Sequence, residues 1–443
     1  MKIVVVGGGS SYTVELFAEL TGNTRKLDVD EVTLVDLNVE RVEFIAGVGQ
    51  RVLDAAGSPI RLVASTDLQR ALQGADFVLP QIRVGGLAAR KRDETLPMEF
   101  GLVGNETTGA GGFVCALRTV PVVVEIARTV ERVAPDAWIL NLSNPAGIVT
   151  EALLKHASVR AVGFCNIPTN TAEEFARIIG VDPARVRLDS FGLNHLSWLR
   201  RAFVDGEDRL QPLIDETVDR DSPLASLIDP LMTIEDLHAL RLIPAWYVRY
   251  FMFTDRIVAD EGASDETKAD RDVQAEERLA SIYSTVGLNE ETRDILGTKG
   301  GANYYVDVLD VIDSIVNDRG QIVVADVRND GAIPDLPSDV CVEIPTRVGA
   351  GGPVPLPVGP LPLAVRGLIQ AVKAFEELTI EAALSGDRGR AIQALAANPL
   401  VGSYSKAKPF FERVLQNERQ YLSPFFEDRP QKVPRAKERA VLR

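Results

Sequence analysis

Hydrophobic positions in the first 200 residues form short runs rich in β-branched side chains, and helical segments separate these runs. The runs that predict buried parallel strands are Ile3 to Val6, Val32 to Val35, Phe77 to Pro80, Ala137 to Leu140 and Ala161 to Phe164. This alternation predicts a doubly wound sheet. Ligands of such sheets bind at the carboxyl ends of the strands, so we expect the motifs that follow these runs to share one site.

From about residue 205 onward the pattern becomes helical. Helices are predicted over a Pro-interrupted stretch and three further segments, Ile234 to Ile257, Asp265 to Tyr283, Pro362 to Leu384 and Gly402 to Tyr421. Between them, Ile322 to Val327 and Val340 to Ile344 predict strands of a smaller sheet. The expected fold class is therefore α/β, with an N-terminal Rossmann-like doubly wound parallel sheet and a mixed, largely helical C-terminal domain.

Composition narrows the class of protein. The 443 residues are 46% hydrophobic, enough to bury the core of two or three domains or of one large α/β unit. A balance of 48 basic against 63 acidic residues, net −15, argues against nucleic acid and anionic membranes as partners. We expect neither a signal peptide nor a stretch that approaches a bilayer span. Three scattered cysteines fit reduced thiols, so a cytoplasmic location is expected.

A glycine loop, residues 7–13 (GGGSSYT), follows the first strand and opens a helix. Its glycines would let the backbone approach a pyrophosphate, although Tyr12 replaces the third glycine of the usual fingerprint. Asp36 ends the second strand and is placed to bind a ribose diol, which favours NAD, while Arg41 nearby leaves the phosphorylated cofactor open. The alternative is a glycine turn with a surface aspartate. The predicted cofactor-binding residues of these two segments are Gly7, Gly9, Ser10, Ser11 and Asp36.

Charged and glycine-rich segments follow the next strand. Arg83 stands just beyond its end, where a guanidinium can pair bidentately with a phosphate or carboxylate. The five consecutive charges from Arg90 to Glu94 predict an exposed helix face. The loop at 104–112 (GNETTGAGG) is typical of either a flexible turn or a functional loop.

Asparagines recur where predicted strands end. In residues 141–145 (NLSNP), Asn141 and Asn144 fit a helix cap with proline at the first position, and each can also offer an amide to a ligand. Asn166 and Asn194 repeat this placement beside a cysteine and a histidine. We predict that Asn141 contributes to the cofactor site and that Asn144 and Asn166 contact substrate.

Cys165 and His195 both follow predicted strands, in a chain with only three cysteines and three histidines. A buried thiol and a core imidazole are the ordinary alternatives. As a pair they would hold a divalent ion and leave positions open for substrate hydroxyls and water, as a Lewis-acid role requires. Zinc usually takes more protein ligands, so Mn is preferred. His156 and His238 lie in helical segments and are predicted to be structural.

Six motifs together resemble one known family over nearly the full chain. They are GGGSSYT (7–13), GNETTG (104–109), NLSNP (141–145), CNIP (165–168), GLNHL (192–196) and NDGAIP (329–334). In order and spacing they resemble glycoside hydrolase family 4, whose fold is similar to that of lactate and malate dehydrogenases. The resemblance implies hydrolysis of glycosides with NAD and, in most members, Mn, without the usual pair of catalytic carboxylates.

The resemblance also implies a reaction sequence. NAD would take hydride from carbon 3 of the sugar, a base would remove the acidified proton at carbon 2, and the aglycone would leave from carbon 1 by elimination. Water would then add and the hydride return, with retention of configuration. The metal ligands carry over onto Cys165 and His195, and the base, a tyrosine in the family, onto Tyr247 in residues 243–250 (IPAWYVRY). Tyr250, one helical turn away, is the alternative base.

Substrate class is implied by the residue that follows the metal cysteine. Asn166 at that position is similar to the 6-phospho-β-glucosidase branch of the family. Arg83 would then hold the 6-phosphate together with Lys299, in the segment Thr298 to Gly301. Two positions depart from the family pattern: Val14 replaces a proline, and Lys299 replaces an arginine, exchanging a bidentate fork for a point charge.

Two other classes of function are kept as alternatives: a net NAD-dependent dehydrogenase of a 2-hydroxy acid or sugar, and a non-catalytic NAD or sugar-phosphate sensor. The expected organisation is an NAD-binding domain over 1–165, a substrate, metal and oligomerisation domain over 166–428, and a basic, mobile tail over 429–443. The helical C-terminal half fits a homodimer or homotetramer. The expected partner is a small phosphorylated β-glucoside.

Overall fold

The structure is a computed structural model that describes residues 1–22, 27–264, 266–285, 288–299 and 304–426. The predicted tail over 429–443, together with Asp265, Gly300 and Gly301, lies outside the described residues. The strands, in chain order, are β1 (Lys2–Val6), β2 (Glu31–Val35), β3 (Arg61–Ser65), β4 (Phe77–Pro80), β5 (Trp138–Asn141), β6 (Arg160–Gly163), β7 (Val186–Leu193), β8 (Leu196–Val204), β9 (Glu207–Asp208), β10 (Ile243–Pro244), β11 (Gln321–Arg328), β12 (Cys341–Gly349) and β13 (Gly352–Pro355).

Helices cover more of the chain than strands do. They are α1 (Thr13–Thr21), α2 (Val39–Ala55), α3 (Leu68–Leu72), α4 (Gly86–Met98), α5 (Gly109–Val133), α6 (Ala146–His156), α7 (Ile167–Ile179), α8 (Leu210–Glu216), α9 (Ile234–Leu240), α10 (Arg249–Met252), α11 (Thr254–Gly262), α12 (Lys268–Tyr283), α13 (Glu290–Thr298), α14 (Tyr304–Asn317), α15 (Leu363–Ser385), α16 (Arg388–Ala397) and α17 (Tyr404–Asn417).

A nine-stranded sheet organises the fold, with strand order β13-β12-β11-β6-β5-β4-β1-β2-β3. The strands from β1 to β6 are parallel and run 3-2-1-4-5-6, the doubly wound Rossmann order. The chain reverses its direction of winding between β1 and β4, so the crevice that such sheets use for ligands opens above these two strands. The predicted fold class is thereby confirmed.

The five predicted parallel strands are all present, but one strand was missed and one sheet prediction was wrong. The strand β3 was missed; it is a partly exposed edge strand and lacks the buried apolar run of its neighbours. The strands β11 and β12 do not form a smaller sheet, since β11 pairs antiparallel with β6 and extends the main sheet. The sheet therefore contains strands from both sides of residue 165.

A second sheet of four strands, β7 to β10, was also missed. Its strands β7 and β8 form a hairpin in which Leu193 pairs with Leu196, so Asn194 and His195 are the two residues of the turn. His195 adopts a left-handed backbone conformation with φ of 61°. Cys165 follows a strand of the main sheet, but His195 belongs to this hairpin, so the two do not occupy comparable strand ends.

Helix α5 corrects an expectation about membranes. Among the described residues, it is long and apolar enough to cross a bilayer by length and composition, although no such stretch was expected. In the structure 83% of its most apolar segment is buried inside the protein. It packs against α4, α6 and α15, which identifies it as a core helix.

Candidate active site

A cavity of about 1890 Å³ opens above the carboxyl ends of the parallel strands. Most of the predicted site residues line it: Gly7, Ser10, Asp36, Arg83, Asn144, Cys165, Asn166, His195, Tyr247 and Lys299. Its volume exceeds the 300 to 1,000 Å³, in rough terms, of ordinary ligand pockets, so it has room for more than one small molecule. The strand-end motifs thus share one site, as the parallel sheet predicts.

The glycine loop has no space for side chains where it turns. A Cβ on Gly7, whose φ is +88°, would lie 2.9 Å from the carbonyl oxygen of Gln81. A Cβ on Gly8 would lie 2.7 Å from Leu34, and one on Gly9 would lie 2.9 Å from a carboxylate oxygen of Asp36. The loop therefore lies close to β2, and its residues Gly7 and Ser10 line the cavity.

Asp36 is fixed by backbone groups on both of its carboxylate oxygens. The backbone N–H of Gly9 donates to Oδ2 at 3.0 Å, and that of Asn38 donates to Oδ1 at 3.1 Å. Asp36 lines the cavity at the end of β2, where a ribose diol is bound in this fold. The alternative of a simple surface aspartate therefore does not fit its position.

Two of the predicted cofactor residues, Ser11 and Asn141, are buried away from the cavity surface. Ser11 donates from Oγ to Glu276 at 2.7 Å. Asn141 is fully buried, and its amide nitrogen lies within 3.4 Å of oxygen atoms of Ser143, Ala146 and Thr150. Its side chain therefore holds the turn before α6 together, and cofactor contact from Asn141 stays a prediction.

Cys165 and His195 come together although different sheets supply them. Cys165 Sγ lies 3.7 Å from His195 Nε2, and both side chains are buried. The other ring nitrogen, Nδ1, has no hydrogen-bond partner within the described part of the chain. Burial lowers the pKa of His195 to about 4, so its imidazole is neutral at physiological pH, the form that binds metals.

Tyr247 completes this arrangement. Its ring is stacked on the His195 imidazole, with ring centroids 3.7 Å apart and 3° between the planes. Burial, with a smaller contribution from Glu106, raises the pKa of Tyr247 well above its usual value. Tyr250 lies further away, with its ring 6.0 Å from that of Tyr247, and its hydroxyl accepts a hydrogen bond from Asn105.

The run from Arg90 to Glu94 is not an exposed face, contrary to prediction. Arg90 and Glu94 are only 4% and 2% exposed, and they pair at 2.9 Å. Arg90 also pairs with Glu106 at 2.6 Å and with Asp272. These four residues form a buried charge cluster, and three of them, Arg90, Glu106 and Asp272, line the cavity.

The loop at 104–112 is packed, which excludes the flexible-turn alternative. Asn105 Oδ1 accepts hydrogen bonds from the backbone of Thr107 and Thr108, each at 2.9 Å. A Cβ on Gly111 would lie 2.1 Å from the carbonyl oxygen of Asn105. Glu106, which was not selected from the sequence, is thereby held at the cavity. An acid inside a glycine-rich loop was the available signal.

Arg83 and Lys299 differ in the contacts of their charges. Arg83 Nη1 is buried and has no hydrogen-bond partner among the described residues. Lys299 Nζ instead donates to Ser11 Oγ at 2.9 Å and pairs with Glu276. Lys299 therefore belongs to a cluster beside the glycine loop, while Arg83 lines the cavity. The predicted shared phosphate role stays untested for both.

The remaining predicted residues are two asparagines that line the cavity and two histidines that lie in helices. Asn144 and Asn166 line the cavity beside Cys165, and Asn166 also precedes the first turn of α7. His238 Nε2 lies 2.8 Å from the carbonyl oxygen of Thr217, and the imidazole of His156 lies at the end of α6. Both of these histidines occupy the helical positions that the sequence predicted.

Known proteins match this chain over most of its length. The profile of Family 4 glycosyl hydrolase matches residues 2–181, and that of Family 4 glycosyl hydrolase C-terminal domain matches residues 190–401. The chain is 37% identical over 434 residues to a probable 6-phospho-beta-glucosidase of Bacillus subtilis, which covers 96% of this chain and 98% of the relative.

Solved structures agree with the sequence relatives. The 6-phospho-beta glucosidase from Thermotoga maritima with NAD and glucose-6-phosphate has a TM-score of 0.88 and 32% identity, covering 95% of this chain and 99% of that chain. The same enzyme with manganese, NAD+ and glucose-6-phosphate has a TM-score of 0.86, with the same identity and coverage. The chain therefore belongs to glycoside hydrolase family 4, which confirms the family inferred from its motifs.

Proposed function

We propose that the protein hydrolyses 6-phospho-β-glucosides, using NAD and a divalent metal ion, for which Mn is preferred. The relative of Bacillus subtilis and the Thermotoga maritima enzyme, both described as 6-phospho-beta-glucosidases, support the substrate class. The arrangement of Cys165, His195 and Tyr247 at one end of the cavity is the observation that carries the proposal.

The cysteine and histidine fit a metal ion. One cation could contact a thiolate sulfur and an imidazole nitrogen together only if these two atoms lay close to each other. The observed separation is 3.7 Å. The described residues contain no group of three or more His, Cys, Asp and Glu suited to a metal, so substrate and water would complete the coordination. An open site of this kind is suited to catalysis.

The glycine loop and Asp36 fit a dinucleotide, since Gly7 and Ser10 line the cavity and the carboxylate is already oriented. When bound, NAD would accept and return a hydride at carbon 3, while the metal would withdraw charge from the hydroxyl oxygens at carbons 2 and 3. Gly7 and Ser10 would contact the cofactor, and Cys165 and His195 would hold the ion. The predicted outcome for the glycoside is retention of configuration.

Tyr247 would remove the proton at carbon 2. Burial raises its pKa, so the phenol alone is a weak proton acceptor at neutral pH. A cation bound by Cys165 and His195 would favour the phenolate, because the Tyr247 ring lies directly against one of the two ligands. The stacking also limits rotation of both rings and would keep the hydroxyl in position for proton transfer.

Substrate orientation would come from Arg83, Asn144 and Asn166. The guanidinium of Arg83, whose Nη1 has no hydrogen-bond partner among the described residues, would pair with the 6-phosphate, and the two amides can bind sugar hydroxyls. The three buried free thiols are consistent with a reducing compartment, so the cytoplasm stays the predicted location. A homodimer or homotetramer stays the predicted assembly.

The test is hydrolysis of p-nitrophenyl β-glucoside 6-phosphate with NAD and Mn, with and without a chelator. We expect nitrophenol release that requires both additions, with no net NADH. Absence of nitrophenol in the complete mixture would contradict the proposal. Stoichiometric NADH would instead indicate the dehydrogenase alternative, and binding of NAD without turnover of any phosphoglucoside would indicate the sensor.

A further inference from the structure

Glu276 lies in the middle of α12 and contacts the glycine loop, although the two are far apart in the sequence. Its Oε2 accepts a hydrogen bond from Arg41 Nη2 at 3.1 Å. Its Oε1 accepts one from Ser11 Oγ at 2.7 Å and pairs with Lys299. One carboxylate thus binds two cations and a hydroxyl beside the dinucleotide loop.

Arg41 lies beside Asp36, the residue that would bind the adenosine ribose. It lies in the first turn of α2, just beyond Asp36, and its Nε donates to the carbonyl oxygen of Gly9. A Cβ built on Gly9 would lie 2.9 Å from Asp36 and 3.0 Å from Arg41 Cγ, so both side chains border the same small space. In this fold an acid at this place binds the ribose 2′-hydroxyl of NAD, whereas a nearby arginine accommodates the 2′-phosphate of NADP.

The pair with Glu276 determines which of these roles Arg41 can perform. The Glu276 carboxylate holds Arg41 Nη2 and offsets part of the guanidinium charge, so a 2′-phosphate would have to share this cation with Glu276. The Glu276 carboxylate would also repel the two negative charges of a 2′-phosphate. Both effects leave NAD binding intact, because the ribose diol contacts Asp36.

We propose that Glu276 is the residue that selects NAD over NADP in this protein, by engaging Arg41. The proposal rests on the NAD dependence given under Proposed function. Glu276 acts across 235 residues of sequence, so the choice of cofactor depends on the docking of α12 against the Rossmann sheet.

Charge balance around Glu276 supports this role. Burial opposes ionisation of the carboxyl group, but Lys299, Ser11 and Arg41 outweigh it and lower the pKa of Glu276. The carboxylate is therefore ionised at neutral pH and competes for Arg41 throughout the physiological range. Lys299 does not take the place of Arg41, because it pairs with the other carboxylate oxygen of Glu276.

The test is equilibrium binding of NADH and NADPH, followed by the fluorescence of the reduced nicotinamide, for the wild type and Glu276→Gln. Glutamine keeps an acceptor oxygen for Ser11 and Lys299 but removes the charge. We expect the dissociation constant for NADPH, relative to that for NADH, to fall about tenfold or more, as one charge-assisted contact to phosphate implies. Near-ultraviolet circular dichroism would establish that the variant is folded.

Two further variants make the result specific. Glu277→Gln removes the same charge from the next residue of α12, whose side chain is exposed, and should leave the ratio unchanged. Adding Arg41→Ala to Glu276→Gln should cancel the gain, because the released guanidinium is then absent. An equal change in both affinities, or a gain that survives Arg41→Ala, would overturn the proposal. Failure of the wild type to bind either nucleotide would contradict the proposed function instead.

Discussion

The imidazole of His195 lies flat against the phenol ring of Tyr247, with centroids 3.7 Å apart. The hairpin turn between β7 and β8 supplies the first ring, and a 3-10 turn over Trp246–Val248 supplies the second. The short strand β10 joins them, since it pairs with β8 and the backbone N–H of Ala245 donates to Ser197 at 2.9 Å. One hairpin therefore positions both rings.

Replacing Tyr247 by Phe should abolish turnover while preserving NAD binding. The phenyl ring keeps the stacking on His195, so the only group lost is the hydroxyl, and general-base catalysis contributes about 10²- to 10⁴-fold. Initial rates with p-nitrophenyl β-glucoside 6-phosphate and NADH fluorescence measure the two effects. Tyr250→Phe, which loses the hydroxyl that accepts from Asn105, is the matched control and should retain most activity. The reverse pattern would assign the base to Tyr250.

Removing the metal site should abolish activity without unfolding the protein. Chelator should inactivate the enzyme and added Mn should restore it. Cys165→Ala should weaken Mn binding, measured by electron paramagnetic resonance, by at least about 100-fold, because even residues outside the coordination shell contribute about 10- to 100-fold. Cys341→Ala removes another buried free thiol and should bind Mn normally. Equal Mn affinity in the two variants would exclude Cys165 as a ligand.

Arg83→Ala should affect phosphorylated substrates selectively. The Nη1 atom of Arg83 has no hydrogen-bond partner among the described residues, and a charge-assisted hydrogen bond contributes about 1.5 to 3 kcal/mol, or roughly 10- to 100-fold in kcat/KM. Comparison of p-nitrophenyl β-glucoside with its 6-phosphate isolates the phosphate contribution. A variant that loses the same factor on both substrates would show that Arg83 does not bind the 6-phosphate.

Two glycines in helices should respond oppositely to replacement by alanine. A Cβ at Gly111 of α5 would lie 2.1 Å and 2.3 Å from carbonyl oxygens of Asn105 and Asp93, so Gly111→Ala should destabilise the protein by several kcal/mol, roughly the cost of overpacking a core. At Gly367 of α15 a Cβ meets no described atom within 4 Å, and Gly367→Ala should stabilise it by about 0.5 to 1 kcal/mol. Urea unfolding measures both. Similar effects would disprove the packing argument.

Glu376 should make the stability of the protein depend on pH. Burial raises its pKa to about 7 from 4.5, although Lys373 lies 2.5 Å away. The folded state therefore keeps a proton that the unfolded chain releases, so this contribution is complete below pH 4.5 and is lost as pH rises through 7. Glu376→Gln should reduce the decrease in unfolding free energy between pH 5 and 8 by about 3 kcal/mol at most.

Glu381→Gln, an exposed position on the same helix, is the control for Glu376 and should follow the wild-type pH dependence. Identical pH profiles for the wild type and Glu376→Gln would show that the buried carboxyl group does not titrate in this range.

The sequence by itself determined the parallel strands, the glycine loop with Asp36, and the motifs that carry the family. Each of these signals is local: an apolar run bounded by a turn, or a glycine at a turn where an added Cβ would lie within 3 Å of a neighbour. Cys165 and His195 were selected because rare residue types adjoin such signals. The residues that follow these strands are then expected in one site, since parallel strands place their carboxyl ends together.

The other features of the fold and the site were decided by the tertiary structure alone, because they depend on contacts between residues that are distant in the sequence. Burial of Arg90 depends on Asp272, which is 182 residues away, and without that contact a charged run is typical of a solvated helix. The addition of β11 to the main sheet depends on one pairing with β6, which no periodicity reveals. Likewise Glu276 resembles any acid on a charged helix until α12 docks and its carboxylate meets Arg41 and Lys299 beside the glycine loop.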